Sequence, residues 1–253
     1  MITITSILSR YTIPHHLNEG ITVANVAEAP AGVDLAKRLL YEIVNPTTAL
    51  YLSGGKTPKA LYEQLAQEEQ IKPGAVGMVD ERFGKKFHGN SNEKMLRESG
   101  LLRYLEILDI PFYPILQNEQ SRAKTAEIYD EKIRHLNATF HESVAILGIG
   151  VDGHTSSVAP NRSGFTNPMF DPAQSHLFVS EFNDPKSFYG ARVGMTFLGL
   201  SMLDLLVVLV FGDDKKDALE AMFSDGSEEE LPARFFKRQE IATKTLFITD
   251  QNV

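Results

Sequence analysis

The chain has 253 residues, with 25 Lys and Arg against 33 Asp and Glu, for a formal charge of −8 at neutral pH. Its 43% hydrophobic and 23% charged residues describe a globular chain long enough for a sizeable core, and they argue against disorder. With no Cys, disulfides, thiolate catalysis, zinc ribbons and iron–sulfur clusters are excluded, and the acidic balance disfavours nonspecific nucleic-acid binding.

In chain order, Ile2-Thr3-Ile4-Thr5 alternates and reads as a strand. The same start has neither a basic n-region nor an apolar h-region, so no secretory leader is expected. Ala29 to Val44 carries apolar residues at helical spacing and stops before Pro46. Ala49 to Leu52 is a short strand running into Ser53-Gly54-Gly55. A helix follows, with Thr57 as its expected cap and Pro58 in its first position. Ala75 to Val79 reads as a strand, Asn92 to Leu105 and Glu119 to Leu136 as helices, and Ser143 to Ile149 as a third strand. Leu177 to Phe182 and Val193 to Phe197 are further strands. Leu205 to Phe211 is a buried strand leading into a helix over Asp213 to Phe223, and Thr245 to Thr249 closes the chain as a strand. Leu205 to Phe211 is also the longest apolar run, far below the roughly 20 residues a membrane span needs. A cytoplasmic chain without membrane contact is the expectation.

Strands and helices alternate, which predicts an α/β fold. The reading is one doubly wound domain over residues 1–253, with a mainly parallel sheet and helices on both faces. The polar stretch Asp225 to Glu230 is short enough to be a surface loop, and no Gly-, Pro- or Ser-rich linker divides the chain. Oligomeric state is left open.

Four polar clusters each follow a predicted strand: Ser53-Gly54-Gly55-Lys56-Thr57, Asp80-Glu81-Arg82, Gly150-Val151-Asp152-Gly153-His154 and Gly212-Asp213-Asp214-Lys215. In a parallel sheet such ends share one edge, where ligands of open α/β sheets bind. In the first cluster, the glycines and the helix start suit a phosphate. Its text resembles the end of a P-loop but lacks the earlier glycine, where Leu50 stands, so it reads as an anion loop or as a plain glycine turn. Gly148, Gly150 and Gly153 spell a dinucleotide fingerprint, yet Pro160 stops the long helix that motif requires. What remains is a carboxylate two residues from an imidazole. Asp152 can orient His154, and an imidazole with a free pKa of about 6.5 is a natural general base; a capping Asp and a structural His is the alternative. Asp80-Glu81-Arg82 reads either as a solvated loop or as a carboxylate for proton handling beside an anion-binding Arg. Lys56, Arg82, Arg192 and Lys215 together would make a cationic pocket on an acidic chain, which points to a small anionic substrate with phosphate as the leading choice. No nucleophile elbow and no metal-binding helix motif occurs, so no catalytic metal is expected.

At these residues the sequence resembles the 6-phosphogluconolactonase family, within the group that includes the glucosamine-6-phosphate deaminases. The matching text is Leu52-Ser53-Gly54-Gly55-Lys56-Thr57-Pro58 with Leu61-Tyr62; Asp80-Glu81-Arg82 with Ser91-Asn92; Gly148-x-Gly150-x-Asp152-Gly153-His154-Thr155-Ser156-Ser157; Arg192 with Thr196 and Leu200; and Gly212-x-x-Lys215. The resemblance implies hydrolysis of 6-phospho-D-glucono-1,5-lactone in the pentose phosphate pathway, without metal or organic cofactor. It implies His154 as the base that activates water and Asp152 as its orienting group. Ser53, Gly54, Gly55, Thr57, Arg192 and Lys215 would hold phosphate and sugar hydroxyls, and Arg82 would face the substrate. The chain departs from the lactonase pattern at Lys56, Val151 and Phe83-Gly84-Lys85-Lys86. The deaminase branch usually has a Glu where this chain has Ala159. A non-catalytic phosphosugar-binding module is the remaining alternative.

Overall fold

The computed structural model describes residues 4–117, 120–160, 177–184, 187 and 189–253. In chain order the elements are α1 (Ile4–Arg10), β1 (His15–Asn18), β2 (Ile21–Asn25), α2 (Ala29–Ile43), β3 (Thr48–Leu52), α3 (Lys56–Glu68), β4 (Ala75–Met78), β5 (Asp80–Arg82), α4 (Asn92–Glu98), α5 (Leu101–Ile107), α6 (Arg122–Thr139), β6 (Glu142–Gly148), β7 (Val179–Asn183), β8 (Ala191–Met195), α7 (Phe197–Ser201), β9 (Leu205–Val210), α8 (Lys216–Phe223), α9 (Gln239–Ala242) and β10 (Thr245–Thr249). Tight 3-10 turns at Asp213–Lys215 and Pro232–Lys237 flank α8 and α9.

Seven strands form the main sheet in the order β1-β2-β10-β9-β6-β3-β4. All neighbours are parallel except β1 and β2. Side chains of a strand point alternately to its two faces, yet every residue of β3, β9 and β10 is buried. Both faces of the central strands are therefore covered, as in a doubly wound α/β fold. The mainly parallel α/β architecture read from the sequence is the one observed.

Several boundaries differ. Residues 4–10 are helix rather than strand, with Ile7 and Leu8 buried; Ile2 and Thr3 lie outside the described residues. The stretch read as one helix from Asn92 is two, because Gly100 at φ +86° breaks it between α4 and α5. The helix expected from Glu119 begins at Arg122, capped by the Ser121 hydroxyl, and Glu119 lies outside the described residues. Helix α3 starts at Lys56 behind Gly55, so Thr57 is its second residue and not its cap. Strands β7 and β8 do not join the parallel sheet. They form a separate antiparallel sheet with Asp80–Arg82, in the order β5-β8-β7.

The joint between the two sheets is Val79. Its N–H donates to the Leu52 carbonyl in the main sheet, and its carbonyl accepts from Met195 N–H in the small one. The chain thus leaves β4 and enters β5 within one residue, and the small sheet is anchored at the carboxyl edge of the large one. Strands β9, β6, β3 and β4 are consecutive neighbours. The clusters that follow them consequently line one edge in spatial order, which is the convergence expected from the strand pattern. Among the described residues no helix is long and apolar enough to cross a membrane.

Candidate active site

The turn after β6 is built around its glycines. Gly150 N–H donates to the His154 carbonyl at 2.8 Å, and Gly153 N–H to the Gly150 carbonyl at 3.0 Å. A Cβ on Gly150 would sit 2.0 Å from His154 Nδ1, so only glycine leaves room for the ring. Inside this turn His154 Nδ1 lies 2.6 Å from Asp152 Oδ1, and the same oxygen accepts from His154 N–H at 3.2 Å. A carboxylate facing Nδ1 keeps the proton there and turns the Nε2 lone pair outward. The His154 side chain is 40% exposed, so a water molecule can reach it. Partial burial pushes the Asp152 carboxyl up, but the hydrogen bonds and the charge of His154 outweigh this and hold it at about 2. Asp152 is then ionised throughout the working range. Because folding lowers this pKa, the contact favours the folded chain above about pH 4, and that contribution fades as pH falls toward 2.

The small sheet faces this turn. In β5 and β8, Asp80 stands opposite Gly194 and Arg82 opposite Arg192. Directly opposed residues of antiparallel strands share a face, so these four positions lie on one side. The absent side chain of Gly194 is filled from the other direction: a Cβ there would lie 2.5 Å from Ser157 Oγ and 2.9 Å from Asp80 Cβ. Ser157 belongs to the segment that follows His154, and its neighbour Ser156, held at φ +52°, donates through Oγ to the Met195 carbonyl at 3.3 Å. The His154 turn is thereby tied to the strand that carries Arg192.

Two arginines opposite each other repel. Arg192 is only 9% exposed, and its guanidinium has no hydrogen-bond or ion-pair partner among the described residues. Arg82 donates through one terminal nitrogen to the Asn90 carbonyl at 3.0 Å, while its Nε is buried without a partner. Ser53 Oγ and Ser157 Oγ are buried and unpartnered as well. Orphaned polar atoms are rare in folded chains, and four groups needing partners here converge on one rim. Together they give this rim unsatisfied donors and positive charge, which suits a polar, anionic ligand.

The remaining side chain of β5 points the other way. Glu81 is fully buried, and its carboxylate accepts from Ser91 Oγ at 2.8 Å, Asn92 N–H at 2.7 Å, Glu93 N–H at 2.9 Å and Arg82 N–H at 2.7 Å. Burial pushes this carboxyl upward while the four donors pull it back. It binds the start of α4 to β5. Glu81→Gln presents an amide N–H to these donors, and we expect a loss of about 2 to 4 kcal/mol in urea unfolding; an unchanged midpoint would contradict the structural role. Asp80 is buried too, with Oδ1 accepting from Asn92 Nδ2 at 3.3 Å. The Asn92 amide in turn packs on Gly54, where a Cβ would lie 1.9 Å from its Oδ1. The Ser53–Thr57 loop and β5 are thus in contact through Asn92.

Gly55, at φ +120°, opens α3 with no side-chain cap, so the first N–H groups of a thirteen-residue helix face the rim. Lys56 is exposed. Lys215 closes the turn after β9; its ammonium is 3.9 Å from Asp214, too long for a hydrogen bond. Ser157 ends the family-matching text after His154 but is not read from the sequence as a ligand contact; its burial against Gly194 marks it. Among the described residues no group of three or more His, Asp or Glu is arranged to hold a metal ion.

The chain is similar to known proteins along most of its length. Residues 28–247 match the family model described as glucosamine-6-phosphate isomerases/6-phosphogluconolactonase. The 6-phosphogluconolactonase of Rhizobium meliloti (strain 1021) is 30% identical over 216 residues, covering 85% of this chain and 90% of that protein. That of Pseudomonas aeruginosa is 28% identical over 218 residues, with 85% and 89% covered. Among solved structures, the 6-phosphogluconolactonase from Plasmodium vivax superposes with a TM-score of 0.76 at 17% identity, over 100% of this chain and 97% of that one. The enzyme from Trypanosoma cruzi gives 0.71 at 23%, over 93% and 96%. At such identities the superpositions speak for the fold alone.

Proposed function

The chain belongs to the glucosamine-6-phosphate isomerase/6-phosphogluconolactonase family, and from that premise we propose that it hydrolyses 6-phospho-D-glucono-1,5-lactone with His154 as the base. The observation that carries the role of His154 is its 2.6 Å contact with Asp152, on the rim that also holds Arg82 and Arg192. Water bound at Nε2 attacks the lactone carbonyl while the imidazole takes its proton. The tetrahedral oxyanion collapses, the bond from the carbonyl carbon to the ring oxygen breaks, and the imidazolium returns a proton to that oxygen. The product is a carboxylate and a free hydroxyl, with one proton released to solvent. A lactone is an activated ester, so a positioned base, worth about 100- to 10,000-fold, and an anchored substrate suffice.

Phosphate binding is the second part of the proposal. Arg82, Arg192, Lys215 and Lys56 supply positive charge, the N–H groups of Gly55–Thr57 and the Ser53 and Thr57 hydroxyls supply donors, and Asp80 with Asn92 sets their spacing. We add Ser157 to the ligand contacts because its buried hydroxyl lacks a partner. The whole chain then acts as one sugar-phosphate-binding unit, and a cytoplasmic setting suits a protein without cysteine. Ala159 is buried where the deaminase branch uses a carboxylate, which favours lactone hydrolysis over deamination. The purified protein should release acid from the phosphorylated lactone above the spontaneous background and no ammonia from glucosamine 6-phosphate. Ammonia without acid would reverse the assignment.

A further inference from the structure

Beyond the groups that face the substrate, the turn between β5 and α4 contains an imidazole with a defined task. His88 Nδ1 accepts from the Asn90 N–H at 3.3 Å. Its proton is therefore on Nε2, which donates to the Arg82 carbonyl at 2.9 Å. The backbone of the same residue is fixed at both ends: His88 N–H donates to the Lys85 carbonyl at 3.1 Å, and the His88 carbonyl accepts from Ser91 N–H at 2.9 Å. One face of the ring lies against Tyr189, with centroids 6.1 Å apart and planes 19° from parallel. Tyr189 precedes β8 by two residues and Arg192 by three. The ring thus sits between the segments that lead out of Arg82 and into Arg192. It also holds Asn90, whose carbonyl receives the Arg82 guanidinium at 3.0 Å.

We propose that His88 is a positioning residue for Arg82: its ring pins the turn so that the guanidinium is presented beside Arg192 to the substrate phosphate. This rests on the phosphosugar reading above. The cause is geometric. The Arg82 side chain spans from the backbone to Asn90 with Nε unpartnered, so its direction depends on the separation of the Arg82 and Asn90 backbones. Glu81 ties the Arg82 N–H to the start of α4, and His88, through its two ring nitrogens, ties the Arg82 carbonyl to the Asn90 N–H. Without that bridge, Asn90 moves and the guanidinium loses its aim.

Two substitutions separate this role from mere folding. In His88→Asn the amide oxygen takes the place of Nδ1 and still accepts from Asn90, but nothing reaches the Arg82 carbonyl. In His88→Gln the terminal amide reaches as far as Nε2 and restores that donor. Calorimetric titration with 6-phosphogluconate should show affinity about tenfold weaker for His88→Asn and close to the unaltered protein for His88→Gln, with gluconate binding unchanged in both. Turnover of the phosphorylated lactone should show the same loss in KM with kcat within about twofold. On an Arg82→Ala background His88→Asn should add nothing, because the group it positions is gone. Equal affinity of His88→Asn and the unaltered protein, equal loss in Asn and Gln variants, or full additivity with Arg82→Ala would overturn the role of His88. Failure of the unaltered protein to prefer 6-phosphogluconate over gluconate would instead overturn the phosphate reading on which it rests.

Discussion

His154→Ala is expected to lower kcat on the phosphorylated lactone by about 100- to 10,000-fold while leaving 6-phosphogluconate binding nearly intact. The expectation follows from the division of labour at the rim. The imidazole is held by Asp152 at 2.6 Å and by the turn's own backbone bonds, and no hydrogen bond joins it to Ser53, Arg82, Ser157 or Arg192 among the described residues. Truncating the ring removes the acceptor for the water proton and little else. The pH profile sharpens the point. Since the Asp152 carboxyl lies at about 2, it does not titrate anywhere near neutrality. Asp152 should therefore contribute no acidic limb to the activity profile above about pH 4, and such a limb abolished by Asp152→Asn would contradict the assignment. A His154→Ala variant that keeps full turnover would remove His154 from the base role altogether.

Arg192→Met should act in two opposite directions. Arg192 is a buried guanidinium opposite a second arginine, with no anionic partner among the described residues. Such a charge is held in place at a cost, because much of its hydration has been removed and no anion stands in for it. Methionine keeps the aliphatic stem without the charge. We expect the unliganded fold to gain about 1 kcal/mol or more in thermal or urea unfolding. Affinity for 6-phosphogluconate should drop by about 10- to 100-fold, the worth of a charge-assisted hydrogen bond or two. Added phosphosugar should stabilise the unaltered protein far more than the variant. Parallel loss of stability and binding would mean that Arg192 is a structural residue and not an anion clamp.

The gain expected from removing Arg192 bears on how much could be read without coordinates. Strands β3, β4, β6, β9 and β10 are short apolar runs bounded by Gly, Pro or polar residues, and their pattern survives in any context. Strand β1 is His15-His16-Leu17-Asn18, a partly exposed edge strand with no apolar alternation to mark it. Strand β5 is Asp80-Glu81-Arg82, three charges in a row, which reads as loop until the partners are known. Its charges are tolerated in a strand because Ser91, Asn92 and Glu93 bring donors from eleven or so residues away. The small antiparallel sheet was invisible for the same reason: with β5 hidden, β7 and β8 had no visible partner except the large sheet. Local preference also failed at Ile4-Thr5, where alternation suggested a strand but burial of Ile7 and Leu8 makes a helix.

The candidate site was legible in a different way. Glycine turns and charges following apolar runs located Ser53–Thr57, Asp152–His154 and Lys215, because the edge they share is fixed by parallel pairing. The sequence placed Arg192 at a strand but not in the right sheet. What it withheld are the buried, unpaired atoms: Ser157 Oγ, Ser53 Oγ and Arg82 Nε are ordinary letters until packing strips them of water. His88 was hidden likewise, since its role depends on which backbone groups its two nitrogens meet.

A co-crystal structure with 6-phosphogluconate tests the central claim most directly. The account places the phosphate on the Arg82 and Arg192 guanidinium groups and the C1 carboxylate, the former lactone carbonyl, within about 3 Å of His154 Nε2 or one water away. A phosphosugar bound elsewhere on the chain, or bound at this rim with its carboxylate directed away from the His154 ring, would contradict it.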